Sequence, residues 1–351
     1  MKNKDRQQPA DTKNPQNAVS VHRIDHINIA LMLVSCAAAV AAPFHTFLIA
    51  YAVLGPLHYL TEISWLHDRS YFAPRRWLIV AGMTTAVLLY GFVMKTAPVY
   101  EIGFVWFTFV TAGIAVFVRS AVNVVALSVV AAAVIASLAR TPTYAIAAYF
   151  LVTIIHVFFF TAIFILFGAI KSRSRSALLS LAVMITCAVI CFVPLPLAFG
   201  PGSHIRDLYA GFEQLNVQLG ARNVYASQAG IAIMRVIAFA YLYHYLNWFS
   251  KTSVIRWHEV SRLRAAAIVT LWLGGVAVYA YGYRIGFAVF YVASMLHVLL
   301  EFPLNYRAFA GIVASVRTAP DRGASAERSA SGVRSRRPLT TRGSSARPAG
   351  A

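Results

Sequence analysis

The sequence predicts an all-α, polytopic transmembrane helix bundle of about ten spans. Three observations predict it. Of the 351 residues, 59% are hydrophobic and 12% charged, against roughly 25% charged in a soluble domain. The apolar residues gather in runs of about 20, long enough to cross a bilayer core as a helix. Short polar breaks separate the runs, and the cations sit mostly in those breaks.

The elements follow in order. Residues 1–24 are polar and predict an unstructured cytoplasmic N-terminus. A bundle over 25–314 comes next, with spans near 26–42, 45–66, 77–94, 102–118, 121–138, 143–170, 176–199, 228–250, 264–283 and 287–312. Leu33-Val34-Ser35-Cys36 has the look of a lipoprotein cleavage box. The apolar run continues through Ala37 to Ala42, however, which predicts an uncleaved first span.

With the N-terminus inside, the cytoplasmic loops hold Arg69, Arg75, Arg76, Arg119, Lys171, Arg173, Arg175, Lys251, Arg256, Arg262 and Arg264. The opposite loops are sparser in cations, so the positive-inside rule favours both termini in the cytoplasm, as in a bacterial inner membrane. Between spans seven and eight, Ile205, Leu208, Tyr209, Phe212, Leu215 and Leu219 recur at helical spacing. They predict an amphipathic interfacial helix over 203–220. Residues 315–351 carry eight arginines and two acids and are rich in Ser, Ala, Gly and Pro, which predicts a disordered basic cytoplasmic tail.

The formal charge of +19 excludes less than it suggests. The basic residues lie in loops and the tail, without a folded platform to present them to nucleic acid, so none is expected as a partner. Cys36, Cys187 and Cys191 all sit in apolar runs and read as small packing groups rather than a disulfide framework or a thiolate metal site.

What the apolar runs do not explain is their ionisable residues. Burying such a group in a span costs a few kcal/mol, which makes it a functional candidate. Span two carries His58 and Glu62, span six His156, span eight His244 with Asn247 and Lys251 beyond, and span ten His297 and Glu301. Leu57-His58-x-Leu60-x-Glu62 and Leu296-His297-x-Leu299-x-Glu301 share one pattern. Four residues apart is one helical turn, so each helix offers an imidazole and a carboxylate on one face. All four spans are even-numbered and run the same way, which puts the polar groups at matching depth. Tyr51, His58, Glu62 and Trp65 fall on one stripe, whereas Arg235 points away from His244 and reads as a structural charge.

Imidazole plus carboxylate from facing helices suits a divalent transition metal. Two glutamates would neutralise one divalent ion. His58, His156, His244 and His297 are the candidate metal ligands, with Glu62 and Glu301 as further ligands or catalytic bases. Iron, mono- or dinuclear, is the first cofactor, with zinc or no metal as alternatives. A proton or ion pathway and a bis-histidine haem remain open, although haem leaves both glutamates unexplained. A second tier, His67, Asn247 and His258, could support the site or add ligands. The aromatic runs Phe158-Phe159-Phe160 and Tyr241-Leu242-Tyr243 suit packing, and beside a metal they also suit an apolar small-molecule substrate drawn from membrane lipid.

Gly55-Pro56-Leu57-His58 and the later intramembrane histidines resemble the Brp/Blh-type β-carotene 15,15′-dioxygenase family, histidine-rich integral membrane proteins. The resemblance implies iron held by His58, His156, His244 and His297, dioxygen as co-substrate, and a carotenoid- or lipid-like substrate. The expected function is therefore an iron-dependent membrane oxygenase. The alternative is a proton-coupled transporter in which Glu62 and Glu301 carry protons.

Overall fold

The computed structural model describes residues 15–94, 98–138, 151–209, 224–251 and 259–317. Among these residues the chain is helical throughout, without a strand. The helices are α1 (Pro15–Ala41), α2 (Pro43–Ile49), α3 (Gly55–Asp68), α4 (Arg75–Met94), α5 (Pro98–Phe117), α6 (Ala121–Leu138), α7 (Thr161–Ser172), α8 (Arg175–Ile190), α9 (Ser203–Tyr209), α10 (Gln228–Ser250), α11 (Arg262–Tyr281) and α12 (Tyr283–Arg317). Two π-helical segments interrupt the pattern: π1 (Ala50–Leu54), between α2 and α3, and π2 (Leu151–Phe160), leading into α7.

Local chemistry sets several starts. Pro43 opens α2, where its missing N–H costs nothing. Ser174, Ser227 and Ser261 cap α8, α10 and α11, each accepting a hydrogen bond from the backbone N–H three residues on.

Among the described residues, seven helical segments are long and apolar enough to cross a membrane: Arg23–Ala41, Pro43–Asp68, Ala121–Leu138, Ile154–Ser172, Gln228–Ser250, Arg262–Tyr281 and Tyr283–Arg317. Gly103–Phe117 and Arg175–Ile190 are shorter apolar helices. Helix α6 packs against α5 and buries none of its residues, so most of its Val, Leu and Ala surface is left exposed among the described residues. That surface suits lipid.

Helix α12 is the organiser, packing on α11, α5, α3, α7 and α4. Helix α1 packs on α10 and α8. Glycines let these helices approach closely: a Cβ on Gly113 would lie 2.8 Å from the ring of Tyr306, and one on Gly275 would lie 2.8 Å from Phe290. Arg235 is fully buried. It donates to the carbonyls of Val193 and Leu195, the turns that follow α8, which is the structural role its position implied.

Two boundaries differ from expectation, and a third is described only in part. The N-terminal helix begins at Pro15, so residues 15–24 are not the unstructured segment expected of 1–24. Pro15 supplies a preset first turn, no glycine interrupts the following residues, and Ser174 and Ser176 hold Asp25 at the start of the apolar stretch. Of the interfacial helix expected over 203–220, Ser203–Tyr209 is described and helical. Tyr209 is buried and edges Phe44 at 5.3 Å, while residues 210–220 lie outside the described residues. Of the tail expected at 315–351, residues 315–317 complete α12, and the rest lie outside the described residues.

Candidate metal centre

Helix α3, π2, α10 and α12 each deliver one histidine to a common point. Why they can is visible locally. π1 inserts its wider turn just before Gly55-Pro56-Leu57-His58, and π2 contains His156. π-turns re-aim side chains and recur at functional sites. Gly55 leaves room for the Tyr245 hydroxyl, which would lie 3.4 Å from a Cβ there. Pro303 sits inside α12, two residues past Glu301, without ending the helix.

The four imidazoles close into a ring. Centroids are 4.7 Å apart for His58 and His244, and 5.3 Å for His244–His156, His156–His297 and His297–His58. Glu62 Oε2 lies 3.1 Å from His58 Nε2, and Glu301 Oε2 lies 3.1 Å from His156 Nδ1. All six residues are buried, between 1% and 9% exposed.

This geometry can be tested against one shared ion. Imidazole nitrogens about 2.1 Å from a metal put neighbouring ring centroids about 4.5 Å apart at right angles and about 5.2 Å apart at the tetrahedral angle. The observed spacings span that range. His58 Nε2 and His244 Nε2 are 3.1 Å apart, close to the roughly 3.0 Å of adjacent ligands at right angles. Potential ligand atoms of His58, Glu62 and His297 all lie within 4.8 Å of one another. The donors of His58, Glu62 and His297 therefore fit a transition metal, and His244 and His156 stand beside them.

The hydrogen bonding points the same way. A hydroxyl has one proton. Thr161 directs its proton to the carbonyl of Val157 at 2.8 Å, so it accepts from His244 Nδ1–H at 2.9 Å. That bond fixes the tautomer of His244 and leaves the Nε2 lone pair facing His58, the usual arrangement behind a metal-bound imidazole. Meanwhile both ring nitrogens of His156 and Oε2 of Glu62 and of Glu301 are buried without an aligned hydrogen bond. Each such orphan costs about 1–3 kcal/mol, a cost that a shared cation removes.

An aromatic wall encloses the ring. Tyr245 lies 5.0 Å from His58, Trp248 meets it edge-on at 5.6 Å, and Tyr59 lies 5.6 Å from His297. Trp248 Nε1 donates to Thr61 at 3.0 Å, which ties α10 to the first turn after His58. The wall excludes water, so charge inside is felt at low dielectric.

The second tier fares differently. His67 is out of the site: its side chain is 65% exposed and pairs with Asp68 at 3.6 Å. It lies nine residues past His58, beyond the buried depth. His26 is also exposed. Asn247 is buried, but its amide oxygen accepts from Tyr243, one turn back, at 3.5 Å. His258 lies outside the described residues. Sequence reasoning missed Thr161 and Thr61. A threonine in a span is usually spent on its own i−4 carbonyl, and only a partner 83 residues away gives Thr161 a second task.

No protein-family model, curated protein or solved structure matches this chain. The site's chemistry rests on its own residues.

Proposed function

We propose that this chain is an integral membrane protein, with both termini in the cytoplasm of a bacterium, that binds iron in the four-histidine ring and uses it to oxidise an apolar, carotenoid- or lipid-like substrate. The observation that carries this is the buried, converging donor set of His58, Glu62 and His297, with the imidazoles of His244 and His156 and the carboxylate of Glu301 packed around it. Imidazole and carboxylate donors favour iron, manganese or zinc over softer metals. The resemblance of Gly55-Pro56-Leu57-His58 and the later histidines to Brp/Blh-type dioxygenases favours iron and dioxygen.

When bound, the metal supplies one-electron chemistry and a site for dioxygen. The remaining work belongs to the chain. Thr161 keeps the His244 lone pair aimed inward. Glu62 and Glu301 balance the charge of a divalent ion, and a carboxylate not engaged as a ligand can hold a proton at Oε2 beside the reacting centre. Trp248, Tyr245 and Tyr59 keep water out and present apolar faces to a hydrocarbon.

Elemental analysis of detergent-purified protein, prepared without chelator, tests the reading. Near-stoichiometric iron, lost in both His58→Ala and His297→Ala, is expected. Protein free of metal would overturn it and leave Glu62 and Glu301 to proton-coupled transport.

A further inference from the structure

At one rim of the bundle the ends of α1, α7, α8 and α10 enclose a cavity of about 250 Å³. Its lining residues fall where apolar segments stop. Asp25 is at the start of Arg23–Ala41, Ser172 is the last residue of Ile154–Ser172, and Lys251 follows Gln228–Ser250 directly. In a bilayer that is headgroup depth.

The cavity carries one charge of each sign. Asp25 Oδ2 accepts from the hydroxyls of Ser174 at 2.8 Å and Ser176 at 2.5 Å. These neutral donors orient the carboxylate without cancelling its charge. Lys251 lines the same cavity. Among the described residues neither Asp25 nor Lys251 makes an ion pair, so the two are more than 4 Å apart. A half-buried cation and anion facing one space, neither ion-paired within 4 Å and with the carboxylates of Glu62 and Glu301 acting on Lys251 from further off, call for a ligand carrying both. Between them the wall is apolar, with Phe164, Ile165 and Gly168. A Cβ on Gly168 would meet nothing within 4 Å, and Gly168 is exposed, so the space beside it is open.

We propose that this cavity binds a zwitterionic aminophospholipid, with its phosphate on Lys251, its primary ammonium on Asp25, and an acyl chain along the Phe164–Gly168 face. The requirement is specific. A choline headgroup has no N–H to give Asp25, and a glycerol headgroup has no cation. Charge-assisted hydrogen bonds at each end make the distinction worth about tenfold or more in affinity. None of the residues lining the cavity is a proposed metal ligand.

The test is native mass spectrometry of the full chain, with phosphatidylethanolamine, phosphatidylglycerol and phosphatidylcholine supplied in equal amounts. Phosphatidylethanolamine should be retained at about tenfold over both others. Asp25→Asn should lower its retention to the phosphatidylglycerol level, and Lys251→Met should remove the preference for any phosphate lipid. Gly168→Leu should block retention with both charges intact, and unchanged circular dichroism would show that each variant folds. Equal retention of all three lipids, or a preference that survives Asp25→Asn, would overturn the proposal. So would saturation by soluble phosphoethanolamine in place of lipid.

Discussion

Helix α3 carries two histidine–carboxylate pairs. His58 and Glu62 are 1% exposed and 3.1 Å apart. His67 and Asp68, near the end of the same helix, are 65% and 42% exposed at the side chain and 3.6 Å apart. The chemistry is nearly the same and the consequence is not. Water solvates the second pair, and Arg264 already holds Asp68 through two contacts of 2.7 Å. The first pair is buried away from solvent, and no described arginine pairs with it. What it has is three more imidazoles and a second carboxylate. Burial, more than residue type, separates a site from a surface ion pair.

That contrast can be broken by mutation. The largest effect belongs to the ring itself: His58→Ala or His297→Ala should abolish bound metal, read by elemental analysis, whereas His67→Ala should leave it at the wild-type level. Equal loss from His67→Ala would erase the distinction. Next come the carboxylates. Glu62→Gln should weaken metal binding by about 10–100-fold in a chelator competition. Asp68→Asn should leave that affinity unchanged and cost under about 1 kcal/mol of stability, measured by thermal melts.

Thr161→Val sharpens the comparison from behind the ring. Removing the acceptor for His244 Nδ1–H should cost about tenfold in metal affinity, with recovery in Thr161→Ser. A serine variant no better than valine would mean that Thr161 only packs.

The smallest effect concerns Lys251. Burial pushes its ammonium down to about 8, with Glu301 and Glu62 pulling the other way. Above that value the lysine is neutral, so aminophospholipid retention should fall as pH rises from 7 to 9. Stability of the lipid-free protein should run oppositely. An unfolded lysine titrates near 10.4, so between about 8 and 10.4 the unfolded chain binds more protons and stability rises with pH. Chemical denaturation across that window measures the slope, and a flat profile would mean that the lysine is not buried.

Much of the site was legible. A histidine and a glutamate one turn apart, inside two otherwise apolar runs, is a local pattern, and it placed His58, Glu62, His297 and Glu301 without a partner in view. Of the ten apolar runs, the described parts are largely helical, although 191–199 leave the helix, and among the described residues seven helical segments are long and apolar enough to cross a membrane. Less legible was anything set by a neighbour distant in sequence. The bond from His244 to Thr161 and the meeting of Asp25 with Lys251 depend on which helix lies beside which. The exposure of His67 depends on where a buried stretch stops, and hydropathy blurs that by about a turn. The two π segments left no compositional mark, since Ala50-Tyr51-Ala52-Val53-Leu54 would also make an ordinary α-helix.

One of those segments has a consequence for how such a site is edited. A π-turn is an α-helix carrying one residue more than its hydrogen-bond ladder needs. Everything downstream is rotated by roughly one residue's step, about 100°. The bearing of His58 and Glu62 is therefore written partly in chain length. Deleting a single residue between Ala50 and Leu54 would swing both side chains off the ring while leaving every ligand present. The same helix with the same composition would then be a plain membrane anchor, one codon shorter.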